Sequence, residues 1–493
     1  MTTQSRNLIE QLLEDTATSS DQKEDFNSAL FKQENEFSEM IIEALNDNEK
    51  GDGKLFAEAM EGHFCYDHAE KSWYKFNGNF WEIDVIEEAF EGVSDVVNMY
   101  KKAAEVLAKD RIQAITCANN GQAHKLAEIE KNIKKRTFTL DSDTRRNKVL
   151  KFARAGSDGL GISGDNWDQD PWLLGCKNGV IDLKTGNLFQ GRYDHYIRHA
   201  SPIEYTGLNT KAPKWDKFIS EIFNQDKELV SYIQRLFGYA MTGETREHIL
   251  PILWGAGRNG KSLLLEMIDY VLGSLAGSFQ TDVLLETKSF KSSSSPSPDI
   301  AALYGLRLAW CSETSDEKHL NESRVKYLTG GDKVVARPLY CNTITFTPTH
   351  TLFLLTNFRP QINSYDYAIW QRVHLIPFCV SFVENPERDG EKKRNIYLSD
   401  ELKQESSGIL SWLIRGCLEW QKIGLKPPAI VKSETDRYQS ESDVVQQFID
   451  ERCEIRSDIK TQAKKIYDSY CDWCKSSGYE PYTITKFGNL LGL

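Results

Sequence analysis

The segment Ile252-Leu253-Trp254-Gly255-Ala256-Gly257-Arg258-Asn259-Gly260-Lys261-Ser262-Leu263-Leu264-Leu265 carries residue types at a spacing that implies one chemistry. It has the form G-x-x-x-x-G-K-S, between an apolar run and a helix-like run. Gly255, Gly257 and Gly260 let the backbone curl. The N–H groups from Gly255 through Ala256, Arg258 and Asn259 to Leu263 can then point inward at phosphate oxygens. Lys261 places a point charge on the β- and γ-phosphates, and Ser262 offers a hydroxyl to Mg²⁺. A helix starting near Lys261 adds the positive end of its dipole.

Hydrolysis of a nucleoside triphosphate also needs an acid on a neighbouring strand. Arg307-Leu308-Ala309-Trp310-Cys311-Ser312-Glu313 reads as a buried strand ending in one. Ser312 stands where the usual pattern has Asp, so Glu313 is the candidate for polarising the attacking water. With Ser262 it forms the metal-side pair. Thr351-Leu352-Phe353-Leu354-Leu355-Thr356-Asn357 is an apolar strand ending in a polar amide. Asn357 either bonds the γ-phosphate or lytic water, or is a turn residue before Pro360. Arg372 opens a further apolar strand, Val373-His374-Leu375-Ile376. It is either a surface arginine or a finger for the γ-phosphate of an adjacent subunit. Two β-rich runs flank Tyr340–Thr343 and predict a hairpin, with Lys333, Arg337, Tyr340 and Asn342 on or beside it. Cations and an aromatic ring there suit a nucleic-acid backbone; a purely structural hairpin has the same pattern.

These residues need a scaffold. At 493 residues the chain has room for several domains. With 40% apolar and 27% charged residues it is ordinary for a globular protein. No apolar run approaches membrane length, and ten scattered cysteines suggest a reducing cytoplasm rather than a disulfide framework. The net charge of −12 means that a nucleic acid would have to meet a local basic surface. Residues 1–54 read as an acidic, helical or partly disordered arm. Residues 55–240 read as a second block, with a hairpin at Asn77-Gly78, helices over 85–155, short strands in Leu173–Gly186 and helices over 215–247. Residues 241–425 alternate helix and strand, as a parallel α/β sheet requires, interrupted by a surface loop at Lys291–Pro298. Residues 430–493 read as helix, helix and short helix. Cys471 and Cys474 on one of these helices are core thiols, and His63-x-Cys65-x-x-His68 is a weak metal signal.

The order of phosphate loop, Glu313, Leu328-Thr329-Gly330-Gly331-Asp332 hairpin, Thr356-Asn357 strand and Trp370-Gln371-Arg372…Ile376-Pro377-Phe378 resembles a superfamily 3 helicase of the phage and plasmid primase-helicase group, which includes poxvirus primase-helicases. Asn178-Gly179-Val180-Ile181-Asp182 and Trp215–Gly243 resemble the helical domain that precedes the motor in that group. The resemblance implies a multidomain α/β protein with an AAA+ type P-loop core of parallel strands, a helical N-terminal domain and a C-terminal winged-helix-like domain apparently lacking its wing. It implies ATP and Mg²⁺ as cofactors and a homo-hexameric ring moving 3′ to 5′ on single-stranded or forked DNA. Any primase or polymerase would be a separate chain, and the replicon a phage, prophage or plasmid. By position, Lys261 and Ser262 bind nucleotide, Glu313 is the strand acid, Asn357 the sensor, Arg372 the inter-subunit finger and Lys333–Asn342 the DNA-tracking hairpin. A replication initiator whose nucleotide controls assembly and a ring that remodels protein are the competing readings.

Overall fold

A computed structural model describes residues 36–286, 296–313, 319–340, 342–362, 365–456 and 458–491. Contacts divide the chain into two units, Met1–Gln169 with Gly191–Arg198, and Asp170–Gln190 with His199–Leu493. The division falls inside the 55–240 block. The reason is packing: Leu174, Cys176, Ile181 and Leu183 enter the same core as the helices and parallel strands that follow them. The Lys291–Pro298 loop lies largely outside the described residues.

The first unit mixes helices with a small sheet. Helix α1 (Asn48–Ala59) leads to strands β1 (Phe64–Asp67), β2 (Ser72–Phe76) and β3 (Trp81–Ile83). Strands β2 and β3 pair antiparallel across the Asn77-Gly78 turn, and β1 also pairs in parallel with β4 (Gly161–Ile162). Between β3 and β4 lie a single helical turn at Glu88–Glu91 and three longer helices, α2 (Val93–Thr116), α3 (Asn120–Leu140) and α4 (Asp143–Ala153). The side chains of Asn119 and Ser142 accept from the N–H groups of Gln122 and Arg145, satisfying donors that a helix start leaves open. A fully buried carboxylate ties the four helices. Asp52 of α1 accepts from Tyr100 of α2 at 2.8 Å, Arg136 of α3 at 2.7 Å and Arg145 of α4 at 2.9 Å. Such a charge is tolerated only because it is paired and fully hydrogen-bonded.

The second unit begins with strands β5 (Leu173–Cys176), β6 (Gly179–Asp182), β7 (Asn187–Phe189) and β8 (Ala200–Ser201). Helices α5 (Pro213–Ile222) and α6 (Lys227–Ala240) then lead to β9 (Leu250–Trp254) and α7 (Lys261–Leu272). Strands β10 (Ala276–Ser278) and β11 (Leu308–Glu313), helix α8 (Glu322–Thr329), and the paired strands β12 (Val334–Ala336) and β13 (Ile344–Phe346) follow. Strands β14 (Thr351–Thr356) and β15 (Val373–Pro377) complete a five-stranded parallel sheet, in the order β10-β11-β14-β9-β15. Its strands are nearly continuous apolar runs because both faces are covered. Alternate residues enter different cores. Leu253, Phe353, Leu355 and Ile376 face one cluster; Ile252, Leu352, Leu354 and Leu375 face the other.

The first cluster is closed by α6 and α9 (Ser406–Ile423), which meet backbone to backbone. A Cβ on Gly238 would lie 2.1 Å from the Cys417 nitrogen, and one on Gly416 would lie 2.0 Å from the Gln234 carbonyl oxygen. Helix α10 (Ala429–Glu441) lies on β15, where the Thr435 hydroxyl accepts from the Leu375 N–H at 3.0 Å. The C-terminal segment thus holds one helix more than its sequence pattern predicts, and that helix belongs with the sheet. The remaining three, α11 (Val444–Arg452), α12 (Ala463–Ser477) and α13 (Ile484–Leu490), enclose Phe448, Tyr470, Trp473, Cys474 and Phe487. No strand occurs among their described residues.

Candidate active site

Strand β9 ends at Trp254 and α7 begins at Lys261, so the glycine-rich segment is the connection between them. Gly260 adopts φ +87°, and a Cβ there would lie 2.7 Å from Ile222 Cγ2. Backbone conformation and space both require glycine at that position. Gly257 has open space where its Cβ would be, so the mouth of the loop is free of side chains on that side. The Phe382 N–H donates to the Arg258 carbonyl at 2.8 Å, and the Asn259 amide donates to the Ala256 carbonyl, which braces the loop.

Lys261 is buried inside this loop, at 5% exposure. Its ammonium donates to the Gly255 carbonyl at 2.5 Å, to Asn259 Oδ1 at 3.1 Å and to Asn357 Oδ1 at 3.2 Å. Burial nevertheless pushes its pKa down to about 8. Ser262 is exposed in the first turn of α7 and Leu263 is half-buried beside it. A glycine-rich curl, a lysine within it and a hydroxyl at a helix start fit the phosphates of a nucleotide and its divalent ion.

The register of the sheet decides what joins this loop. Thr356 lies opposite both Trp254 and Glu313, and Pro377 lies opposite Trp254. The carboxyl ends of β9, β11, β14 and β15 therefore share one edge, where open α/β sheets bind ligands. Asn357, the residue after β14, is brought to Lys261. The backbone of Glu313 ends β11 at the same edge; its side chain lies outside the described residues. Arg372 is not brought there. It precedes β15 at the opposite edge, where its Nε donates to Thr329 Oγ1 at 3.2 Å and its Nη1 to the Ala368 carbonyl at 2.7 Å. A five-residue strand, about 16 Å long, separates it from the loop of its own chain.

The β12–β13 pairing places Val334 opposite Phe346 and Ala336 opposite Ile344, so the hairpin exists. Lys333, Arg337, Tyr340 and Asn342 are all exposed, and Tyr340 stands fully in solvent at the turn with φ +61°. The stem is moored by Ser297, whose Oγ accepts from the Arg337 N–H at 3.0 Å. Sequence reasoning passed over one residue of the site edge. Arg359 lies 4.8 Å from the Trp254 ring and 5.4 Å from that of Tyr438, and pairs with Glu441 at 2.5 Å. The signal was present as a cation two residues beyond Asn357, but its partners on α10 are far along the chain.

Comparison with known proteins agrees with the motif order. Residues 53–224 match the family model described as D5 N terminal like. A protein of Acanthamoeba polyphaga mimivirus named as a putative helicase is 30% identical over 424 residues, covering 82% of this chain and 43% of that protein. One of African swine fever virus (isolate Warthog/Namibia/Wart80/1980) named as a putative primase is 26% identical over 325 residues, covering 62% of this chain and 33% of that protein. The apo structure of the NrS-1 C terminal region overlaps 89% of this chain and 93% of that one at 11% identity, with a TM-score of 0.45. The chain spans less than half the length of these viral relatives. Residues 53–224 carry the D5 N terminal like signature, and the relatives matched are viral proteins named as putative helicases and primases.

The buried lysine has a measurable consequence. An unfolded lysine titrates near 10.5. Between about 8 and 10.5 the unfolded chain therefore holds the extra proton, and stability rises with pH in that window. The cost of burying the ammonium is fully present below pH 8. Lys261→Met should be more stable than wild type at pH 7, with an advantage that shrinks as pH climbs from about 8 to 10.5. Denaturant midpoints across that range test this, and a pH-independent advantage would refute the desolvation.

Proposed function

We propose that the chain is an ATP-dependent superfamily 3 DNA helicase. In this reading an AAA+ type P-loop core works as a homo-hexameric ring that tracks 3′ to 5′ on single-stranded or forked DNA in a viral or plasmid replicon. The observation that carries it is the bond from Lys261 to Asn357, at the sheet edge where β11 ends in Glu313. Lys261 and the loop N–H groups hold the phosphates, and Asn357 reads the γ-phosphate end. Ser262 would hold Mg²⁺, which neutralises phosphate charge when bound. Glu313 accepts the proton of the attacking water. Arg372, held away from its own loop, serves the nucleotide of a neighbouring subunit. Lys333, Arg337, Tyr340 and Asn342 engage DNA, and the three-helix tail is a winged-helix-like module.

ATP turnover follows from these roles. Lys261→Ala should lose nucleotide binding together with hydrolysis. Glu313→Gln should keep binding and lose hydrolysis about a hundredfold or more. Near-normal turnover in that variant would remove Glu313 from the chemistry.

The position of Arg372 makes hydrolysis a property of the assembly. Inactive Arg372→Ala subunits mixed with inactive Lys261→Ala subunits should regain some ATPase, because some interfaces then combine an intact loop with an intact finger. No rescue in rings shown to be mixed would argue for a role within one subunit.

The hairpin tests the helicase reading itself. Replacing Lys333 and Arg337 with Ala should abolish DNA-stimulated ATPase and the unwinding of forked DNA, while basal ATPase and assembly stay nearly intact. The quantity to compare is unwinding rate divided by ATPase rate, at low and moderate salt. An unchanged ratio with unchanged DNA affinity would favour a protein-remodelling ring. Origin binding without unwinding in the wild type would favour an initiator.

A further inference from the structure

Helix α3 has one face committed to the first unit and one face committed to nothing. Ile133 and Leu140 are buried along the inner face, and Arg136 reaches Asp52. These contacts fix the rotation of the helix. At 3.6 residues per turn, Lys131, Lys134, Lys135 and Phe138 then fall within a sector of about 100° on the outer face. All four are exposed, and Phe138 is 82% exposed. Phe138 sits between Lys134 and Lys135, one turn on from them. Residues 131–138 contain four cations and no acid, in a chain whose net charge is −12. Arg136 is used by Asp52; the other three have no ion-pair partner among the described residues. Of the nearest acids, Glu130 pairs with Arg111 and Asp141 lies 4.0 Å from Arg146, while the exposed Glu128 borders the face one turn before Lys131.

We infer that this face is a second contact for single-stranded nucleic acid, remote in sequence from the hairpin and independent of nucleotide. Lys134 and Lys135 lie three and four residues on from Lys131, with Cβ atoms about 5–6 Å from its own, so three flexible cations share one stretch of surface and suit successive phosphates. A fully presented ring among them suits an unstacked base, which duplex DNA does not offer. A membrane surface would call for a broad apolar face, and here a single ring stands among charges. The inference rests on the nucleic-acid reading of the chain but not on its ATP chemistry.

The experiment uses the full chain carrying Lys333→Ala and Arg337→Ala, without nucleotide, and a fluorescent oligo-dT strand read by anisotropy from about 50 to about 200 mM salt. Adding Phe138→Ala should weaken binding about tenfold. Adding Lys131→Ala, Lys134→Ala and Lys135→Ala together should flatten the slope of log affinity against log salt by about 2, at 0.7 per phosphate contact. The corresponding triple replacement by Arg should retain the slope, which separates charge from helix stability. Unchanged affinity and slope would overturn the inference. So would binding to phosphatidylserine vesicles that the triple Ala variant loses while DNA binding stays intact, which would assign the face to lipid. If the unaltered chain binds no single strand at all, the helicase reading falls as well.

Discussion

A buried ammonium group organises the second unit. Lys261 cannot leave its charge unpaired in a space closed by α5 and the sheet, so the loop carbonyl of Gly255 and the amides of Asn259 and Asn357 must converge on it. That convergence requires β9 and β14 to be neighbours in parallel and to end level with each other, as Trp254 and Thr356 do. A register slip would turn Phe353 and Leu355 away from their core and carry Asn357 out of reach. The hydrophobic alternation of the strands and the electrostatics of one lysine are thus two expressions of the same register.

The first unit is built on the opposite sign. There a carboxylate, Asp52, is the buried charge, and two arginines and a tyrosine from three other helices come to it. Neither arrangement adds much net stability, since desolvation offsets most of the attraction. Each specifies which helices or strands meet, because removing one partner leaves a charge stranded.

Much of the site was legible in the sequence because its parts are local. The loop, Lys261 and Ser262 lie in one short segment whose spacing states its geometry. The sheet could be read from apolar runs, and the β12–β13 hairpin from two β-rich stretches around a polar turn. That Asn357 meets the lysine could be expected only from motif order. What the sequence left dark depends on distant partners. The strands at Leu173–Phe189 look like part of the preceding block, yet their apolar side chains complete a core whose other members run from Ile203 to Val431. Helix α10 follows a proline pair and looks like the start of the tail, yet Tyr438 and Thr435 fasten it to the sheet and its edge. Arg359 is unremarkable until Trp254, Tyr438 and Glu441 are seen around it.

The glycine crossing of α6 and α9 sets the mechanical character of the second unit. Where backbones touch at Gly238 and Gly416, there are no side chains to change rotamer and no gap to close, so the two helices behave as one plate bolted to one face of the sheet. Other attachments to the sheet are separable: a hairpin moored through a serine, and a helix along the β15 edge held by a hydroxyl and an arginine. Side-chain changes of a single residue can thus loosen the hairpin or the helix, whereas nothing short of moving backbone can part α6 from α9.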